Sequence, residues 1–247
     1  NTDGSVNNNG GPKDGMIRTP DDMTWAKSML AAGYKFAPVG SVATATNKAL
    51  LNYGDFIYAD NNADGIYGNT FDRKFTNTSN SPKYNFGFNA SISWKAFDLS
   101  MLWAGSAGFK YLWIADGANS STIRNGWHVP ERVADDHYYY NVANPADPAN
   151  NINGKFPRLK NNADAQNNIS SDFWLYDASY VKLKNLQVGY TIPQRIVSKA
   201  FITRARVYVS GENLLLITKY PGLDPEIGAG IGYPTMKQMA LGVTLSF

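Results

Sequence analysis

The sequence predicts an all-β fold, the wall of a transmembrane antiparallel β-barrel with long loops on one side, and three observations carry that expectation. Strict apolar/polar alternation recurs at the roughly 9–11 residue length of a barrel strand. Tyr84, Phe86, Phe88, Ala90, Ile92 and Trp94 alternate with Asn85, Gly87, Asn89, Ser91 and Ser93. Met239, Leu241, Val243, Leu245 and Phe247 alternate with Ala240, Gly242, Thr244 and Ser246. Long and short connections follow one another in the order of a chain crossing a membrane back and forth. Aromatic residues make up 13% of the chain, 15 Tyr and 6 Trp among them, beside abundant Gly, Asn and Ser, a balance that favours strands and loops over helices.

Residues 1–82 read as polar, irregular connections. Thr19-Pro20-Asp21-Asp22 opens a short helix, with proline in the first turn and acids at its positive end, and Gly33 stops it after about Leu30. Gly40 to Asn47 is a loop of small residues; Asn52 to Ala59 is tyrosine-rich and extended. The strand from Tyr84 turns tightly at Lys95-Ala96 into a second strand begun by Phe97, Leu99, Met101 and Trp103. Gly105 to Asp172 is dominated by Asn, Asp, Gly and Pro, a loop length that barrels carry on the extracellular side. A third strand runs from about Trp174 to Thr191. Its apolar phase slips from Val181 and Leu183 to Leu186, Val188 and Tyr190, which places a bulge near Lys184-Asn185. Pro193 to Ile202 is a short connection with room for a helical turn. The fourth strand, about Ala205 to Leu216, sets Val207 and Val209 against Arg206 and Tyr208, and a loop from Thr218 to Tyr233 leads to the last strand.

Short turns then share the periplasmic side with the C-terminus, and the long loops lie outside. An apolar edge strand is an aggregation hazard in a sandwich and harmless in a closed barrel. Five strands are too few for closure, which takes about 8 or more, so the remainder of the same barrel is expected before Asn1. The opening Asn1-Thr2-Asp3-Gly4-Ser5 has neither initiator Met nor signal peptide and reads as a mature or partial chain.

Composition narrows the classes further. No apolar run approaches the about 20 residues of a spanning helix, which leaves barrel strands untouched as an option. A net charge of +3 with 17% charged residues gives no field for nucleic acid. The absence of cysteine rules out disulfide scaffolds and thiolate metal sites.

Asp60, Asn62 and Asp64 followed by Gly65 fit the start of a calcium loop, in which alternate oxygen ligands wrap a hard cation. Position twelve is Phe71, and Asp72 comes one residue late, so a calcium loop and a metal-free Asx-rich turn both stand; no other cofactor is required. Trp94, Trp103, Trp113, Trp174, Tyr176, Tyr190 and Tyr208 fall near strand ends and read as an interfacial aromatic girdle. Trp127, His128, Tyr138, Tyr139 and Tyr140 lie in the long loop, where rings stack on a sugar or a lid protein or simply on one another. His128 and His137 have no serine elbow beside them, Asp135 and Asp136 read as solvated charge, and Gly105, Gly108 and the Gly228–Gly232 run lack the context of a phosphate loop, so no enzyme is expected.

Several segments resemble, in order and wording, the C-terminal third of SusC/RagA transporters, over roughly residues 50 to 247. They are Tyr58-Ala59-Asp60-Asn61-Asn62-Ala63-Asp64-Gly65, Ser81-Pro82-Lys83-Tyr84 with Gly87-Phe88-Asn89, Trp94-Lys95-Ala96-Phe97-Asp98-Leu99-Ser100, Phe156-Pro157-Arg158-Leu159 and Ser171-Asp172-Phe173-Trp174-Leu175. The most specific is Ser179-Tyr180-Val181-Lys182-Leu183-Lys184-Asn185-Leu186 with Gly189-Tyr190-Thr191-Ile192-Pro193, followed by Val207–Leu214 and Tyr220–Glu226.

The resemblance implies the C-terminal strands of a large outer-membrane barrel of about 22 strands, plugged and energised by TonB. It also implies a SusD-like lipoprotein outside and the import of glycans or oligosaccharides, or else of peptides. Residues 1–82 would then be extracellular loop material with the helix and the acidic Asn/Asp-Gly loop, and residues 83–247 barrel strands and loops in contact with outer-membrane lipid. The rival readings are a secreted soluble β-sandwich that binds carbohydrate, and a β-rich hydrolase for which no convergent acid pair is found.

Overall fold

The computed structural model describes residues 10–37, 51–113, 129–159, 166–167, 169–230 and 233–247. They belong to two units, one drawn from residues 1–76 and 114–172, the other from residues 77–113 and 173–247. The division differs from the one expected at residue 82, since residues 129–159 group with the first unit.

The first unit is built on helix α1, Pro20–Ala31. Thr19 caps it in extended conformation: its hydroxyl accepts from the Asp22 N–H at 3.2 Å while the Asp22 carboxylate accepts from the Thr19 N–H at 2.8 Å, a reciprocal capping box. At the other end Gly33 takes φ +94, so that Gly33 and Tyr34 donate back to Leu30 and Met29 and close the helix. Met23, Ala26 and Met29 point one way and are buried against Ile17, Phe36, Leu51 and Tyr67. Each large side chain so enclosed contributes about 1.5–3 kcal/mol. Two short parallel strands, β1 (Lys35–Phe36) and β2 (Ile66–Tyr67), and a short helix α2 (Glu131–Asp135) also belong to this unit.

The second unit is a five-stranded antiparallel sheet in the order β3-β4-β7-β8-β9. Its strands are β3 Tyr84–Trp94, β4 Phe97–Ala107, β7 Tyr180–Ile192, β8 Arg204–Thr218 and β9 Gln238–Ser246. The strand pair β5 (Lys110–Leu112) and β6 (Leu175–Asp177) forms a separate ribbon. The β3–β4 turn is the two residues Lys95-Ala96, with Lys95 at φ 55, and β7 meets β8 through α3 (Gln194–Val197) and one turn of tighter helix. The other connections are long and leave from the opposite ends of the strands, as the alternation required.

Two predicted boundaries differ. The strand expected from Trp174 breaks at Ala178–Ser179, where the Asp177 carboxylate accepts from both the N–H and the hydroxyl of Ser179 and turns the chain. Strand β4 runs on through Gly105 to Ala107, because Phe86 and the Tyr180 carbonyl crowd the Gly105 α-carbon and leave room only for hydrogen.

Register assigns the faces. Ile92, Leu99, Val188, Val209 and Leu241 lie side by side on one face; the next row, Ser93, Asp98, Gly189, Tyr208 and Gly242, is on the other. The apolar face is open to the surroundings, with Phe88 61% and Leu241 73% exposed. A sandwich buries that face under a second sheet, so the soluble-sandwich reading falls. The rises of about 3.4 Å between the 11 residues of β3, tilted by about 40°, span about 26 Å, the height of the apolar band of an outer-membrane barrel.

Candidate lumen-lining face

The polar face carries two charged clusters. Near the short-turn end, the Arg206 guanidinium donates from Nε to Asp98 Oδ1 at 2.9 Å, from Nη2 to Asp98 Oδ2, and from Nη2 to Gln187 Oε1 at 3.1 Å. The pair reaches from β8 to β4 across Gly189 of β7, where any β-carbon would meet both partners. The guanidinium also sits 4.9 Å from the Tyr208 ring, which lies over Gly242. Two glycines thus leave the space in which a planar fork and a phenol lie flat on the wall.

Toward the long-loop end, Lys182 on β7 is buried and donates to Asp224 Oδ2 at 2.6 Å and to Glu226 Oε2 at 2.9 Å. Lys184 donates to Glu226 Oε1, and the Thr235 hydroxyl to Asp224 Oδ2 at 2.7 Å. Burial pushes the Asp224 carboxyl up, but the Lys182 ammonium, the Glu226 N–H and the Thr235 hydroxyl together bring it below the usual carboxylate range. Glu226 follows the same balance, its burial outweighed by Lys182 and Lys184.

The residues singled out from sequence are placed variously. Trp127 and His128 lie outside the described residues. Tyr138 is enclosed: its hydroxyl donates to the Arg18 carbonyl at 2.6 Å, and desolvation raises it to about 12, so its ring serves the interior of the first unit and not a ligand. Tyr140 packs edge-on against Tyr53 at 5.4 Å, while Tyr139 is exposed. His137 Nδ1 lies 2.7 Å from the Ala134 carbonyl, and Asp136 accepts from the Lys155 N–H.

Asp60, Asn62, Asp64 and Asp72 do share one loop, and their oxygens meet N–H donors. Asp60 accepts from Asp64 and Gly65, and Asp64 from Ile66 and the Asn62 and Asn69 amides. Asp72 accepts from the N–H groups of Asn61, Gly68 and Asn69. The Asn62 side chain leads in holding the Asp64 carboxyl below its ordinary range. Among the described residues no three His, Cys, Asp or Glu side chains gather as a metal site.

The girdle is smaller than expected. Trp94 is exposed on the apolar face at the short-turn end, near Phe97, which packs on Tyr190 at 4.8 Å. Trp103 is on the same face, opposite Phe88. Trp113, Trp174 and Tyr176 form instead a cluster of their own beside β5 and β6, with Trp113 and Trp174 buried, and Tyr208 is on the polar face.

The charged contacts went unforeseen. A lysine on the same strand as Asn185 and Gln187, brought to their face only by the phase slip at Lys184, and an Asp-Pro-Glu in the following loop were the available signals. In the first unit, Asp55, also unforeseen, is fully buried and accepts from Arg158 at 2.7 and 3.0 Å, from Asn167 at 3.0 Å and from the Asn52 N–H at 2.8 Å.

No protein-family profile matches the sequence. TonB-dependent receptor P3 of Formosa agariphila is 32% identical over 219 residues, covering 83% of this chain and 20% of that receptor. TonB-dependent receptor SusC of Bacteroides thetaiotaomicron is 33% identical over 86 residues, 33% of this chain and 9% of SusC. The chain thus spans about a fifth or less of the length of these relatives. Among solved structures, the RagAB peptide importer in its closed-closed state matches 75% of this chain and 20% of its own at TM-score 0.51 and 26% identity. Its open-open state matches 87% and 25% at TM-score 0.53 and 22% identity, a likeness of fold. By sequence and by fold, this chain is a segment of a SusC/RagA-type TonB-dependent transporter, contributing staves to its all-β barrel.

Proposed function

We propose that the chain forms wall strands and extracellular loops of an importer that takes up a nutrient oligomer across the bacterial outer membrane, driven by TonB and working with a SusD-like surface lipoprotein. The observation that carries this reading is the two-faced sheet: an exposed apolar side at lipid-spanning height backed by a polar side with paired charges. Strands β3 and β9 hydrogen-bond to the remaining strands of the same barrel, the short turns and the C-terminus lie in the periplasm, and the long connections lie outside. No catalytic role is assigned to it, in keeping with relatives named as receptors.

The cargo on this reading is a glycan or oligosaccharide, taken up by aromatic loop residues of which Tyr139 is the exposed one among those described. A peptide cargo is the second reading, favoured by the likeness to RagAB, a peptide importer. The test is uptake by cells carrying the full-length protein, offered labelled oligosaccharides and labelled peptides, with and without TonB. TonB-dependent entry of one class decides the cargo; recovery of the protein in the soluble fraction removes the transport reading.

A further inference from the structure

We infer that Lys182 is a positioning residue that holds the β8–β9 loop folded inward over the polar face of the wall, making that loop a fixed element of the barrel's long-loop end; the inference rests on the transport reading above. Lys182 is only 2% exposed, and what covers it is this loop. Its ammonium donates to Asp224 and Glu226 on the arm that leaves β8, while Thr235 on the returning arm donates to the same Asp224 oxygen. Both arms are therefore tied to one point on β7. Lys184, the residue at the β-bulge, reaches Glu226 as well, so one glutamate is held by two lysines of the same strand. At the base of the loop Tyr220 is buried, its ring 5.7 Å from Tyr111 and its hydroxyl donating to the Ala229 carbonyl at 3.2 Å.

Burying a charge pair stabilises little beyond an apolar contact of equal size; what it adds is registry, because the buried ammonium is satisfied by this one arrangement of carboxylates. A loop swung outward would return that ammonium to water and give up its hydrogen bonds to Asp224 and Glu226. The loop is accordingly set over the wall and not released into solvent.

The test uses the full-length transporter in outer membranes lacking TonB, with Lys182→Met and Asp224→Asn as the latch variants and exposed Lys199→Met as control. Amide exchange across residues 219–230 should rise about tenfold or more in both latch variants. The control should match wild type. Glu226→Gln, at a half-exposed position that spares folding, should move the exchange the same way by less, and Lys182→Arg, which keeps the charge, should recover at least part of the protection. A folded, heat-modifiable barrel whose loop exchange stays within about twofold of wild type in both latch variants overturns the inference. Wild-type protein missing from the outer membrane would overturn the transport reading, and this inference with it.

Discussion

Arginine in place of Phe88 puts a charge on the apolar side of β3, and its cost follows from where Phe88 sits. It is four residues in from the start of an 11-residue strand, about 10 Å below the loop-side rim of a wall about 26 Å tall, close to the midplane of the bilayer. Arginine at that depth on the lipid face costs about 2–4 kcal/mol. At about 1.4 kcal/mol per factor of ten, folding into membrane should weaken about 30- to 700-fold. Loss of the ring opposite Trp103 adds about 0.5 kcal/mol. Asn89, one residue on and at nearly the same depth, faces the polar side, and arginine there should cost less than about 0.5 kcal/mol. The measurement is urea-dependent folding of the full-length protein into lipid vesicles, read by tryptophan fluorescence and heat-modifiable mobility. Equal losses at the two positions, or a larger one at Asn89, would refute the assignment of faces.

Three further outcomes follow from the clusters. Gly189→Val should cost about 1–3 kcal/mol by driving a side chain into the Asp98–Arg206 pair, and the cost should shrink when Arg206 is already alanine, a double-mutant cycle read from urea midpoints. Asp55→Ala strips Arg158, Asn167 and the Asn52 N–H of a fully buried acceptor and should destabilise the first unit by about 3 kcal/mol, seen as faster amide exchange over residues 51–58. Asp224 and Glu226 have folded-state carboxyls below their ordinary range, so the stability they lend is present above the unfolded carboxylate value and lost only as pH falls through the lower folded one. A fluorophore in the β8–β9 loop should therefore stay immobile from pH 7 to about 5 and loosen below about 4; loosening already at pH 6 would contradict the latch.

Strands whose neighbours alternate cleanly were legible from the chain alone. Tyr84–Trp94 shows the period of two because lipid and lumen impose opposite demands on successive side chains, and the structure reproduces its limits to the residue. Thr19-Pro20-Asp21-Asp22 was equally legible because a helix cap is made by residues adjacent in sequence. The charged contacts were not. Asp98 and Arg206 are 108 residues apart, Lys182 and Asp224 are 42 apart, and Asp55 and Arg158 are 103 apart; only the registers and loops that join them bring them together. The aromatic residues misled for a related reason. Trp113 and Trp174 look like interface anchors by type, but the turn at Asp177–Ser179 carries β6 away from the sheet and buries them in its own small cluster.

The phase slip in β7 joins what was legible to what was not. Unbroken alternation from Lys182 would send Leu186, Val188 and Tyr190 to the polar side and Asn185 and Gln187 to lipid. The sheet avoids this at one level: the pairing of β7 with β4 skips Lys184 between Leu183 and Asn185, and its pairing with β8 skips Asn213 and Leu214 as well. Asn213 takes φ 52, a conformation asparagine adopts more readily than most residues. Below the slip Leu186 returns to the apolar row; above it Lys182 and Lys184 share one side, two residues apart, both within reach of Glu226. A bulge read from sequence as a correction of hydrophobic phase is thus also the device that aims two ammonium groups at one loop. The lipid face sets where the slip must fall, and the loop's acidic pair occupies the position that the slip creates.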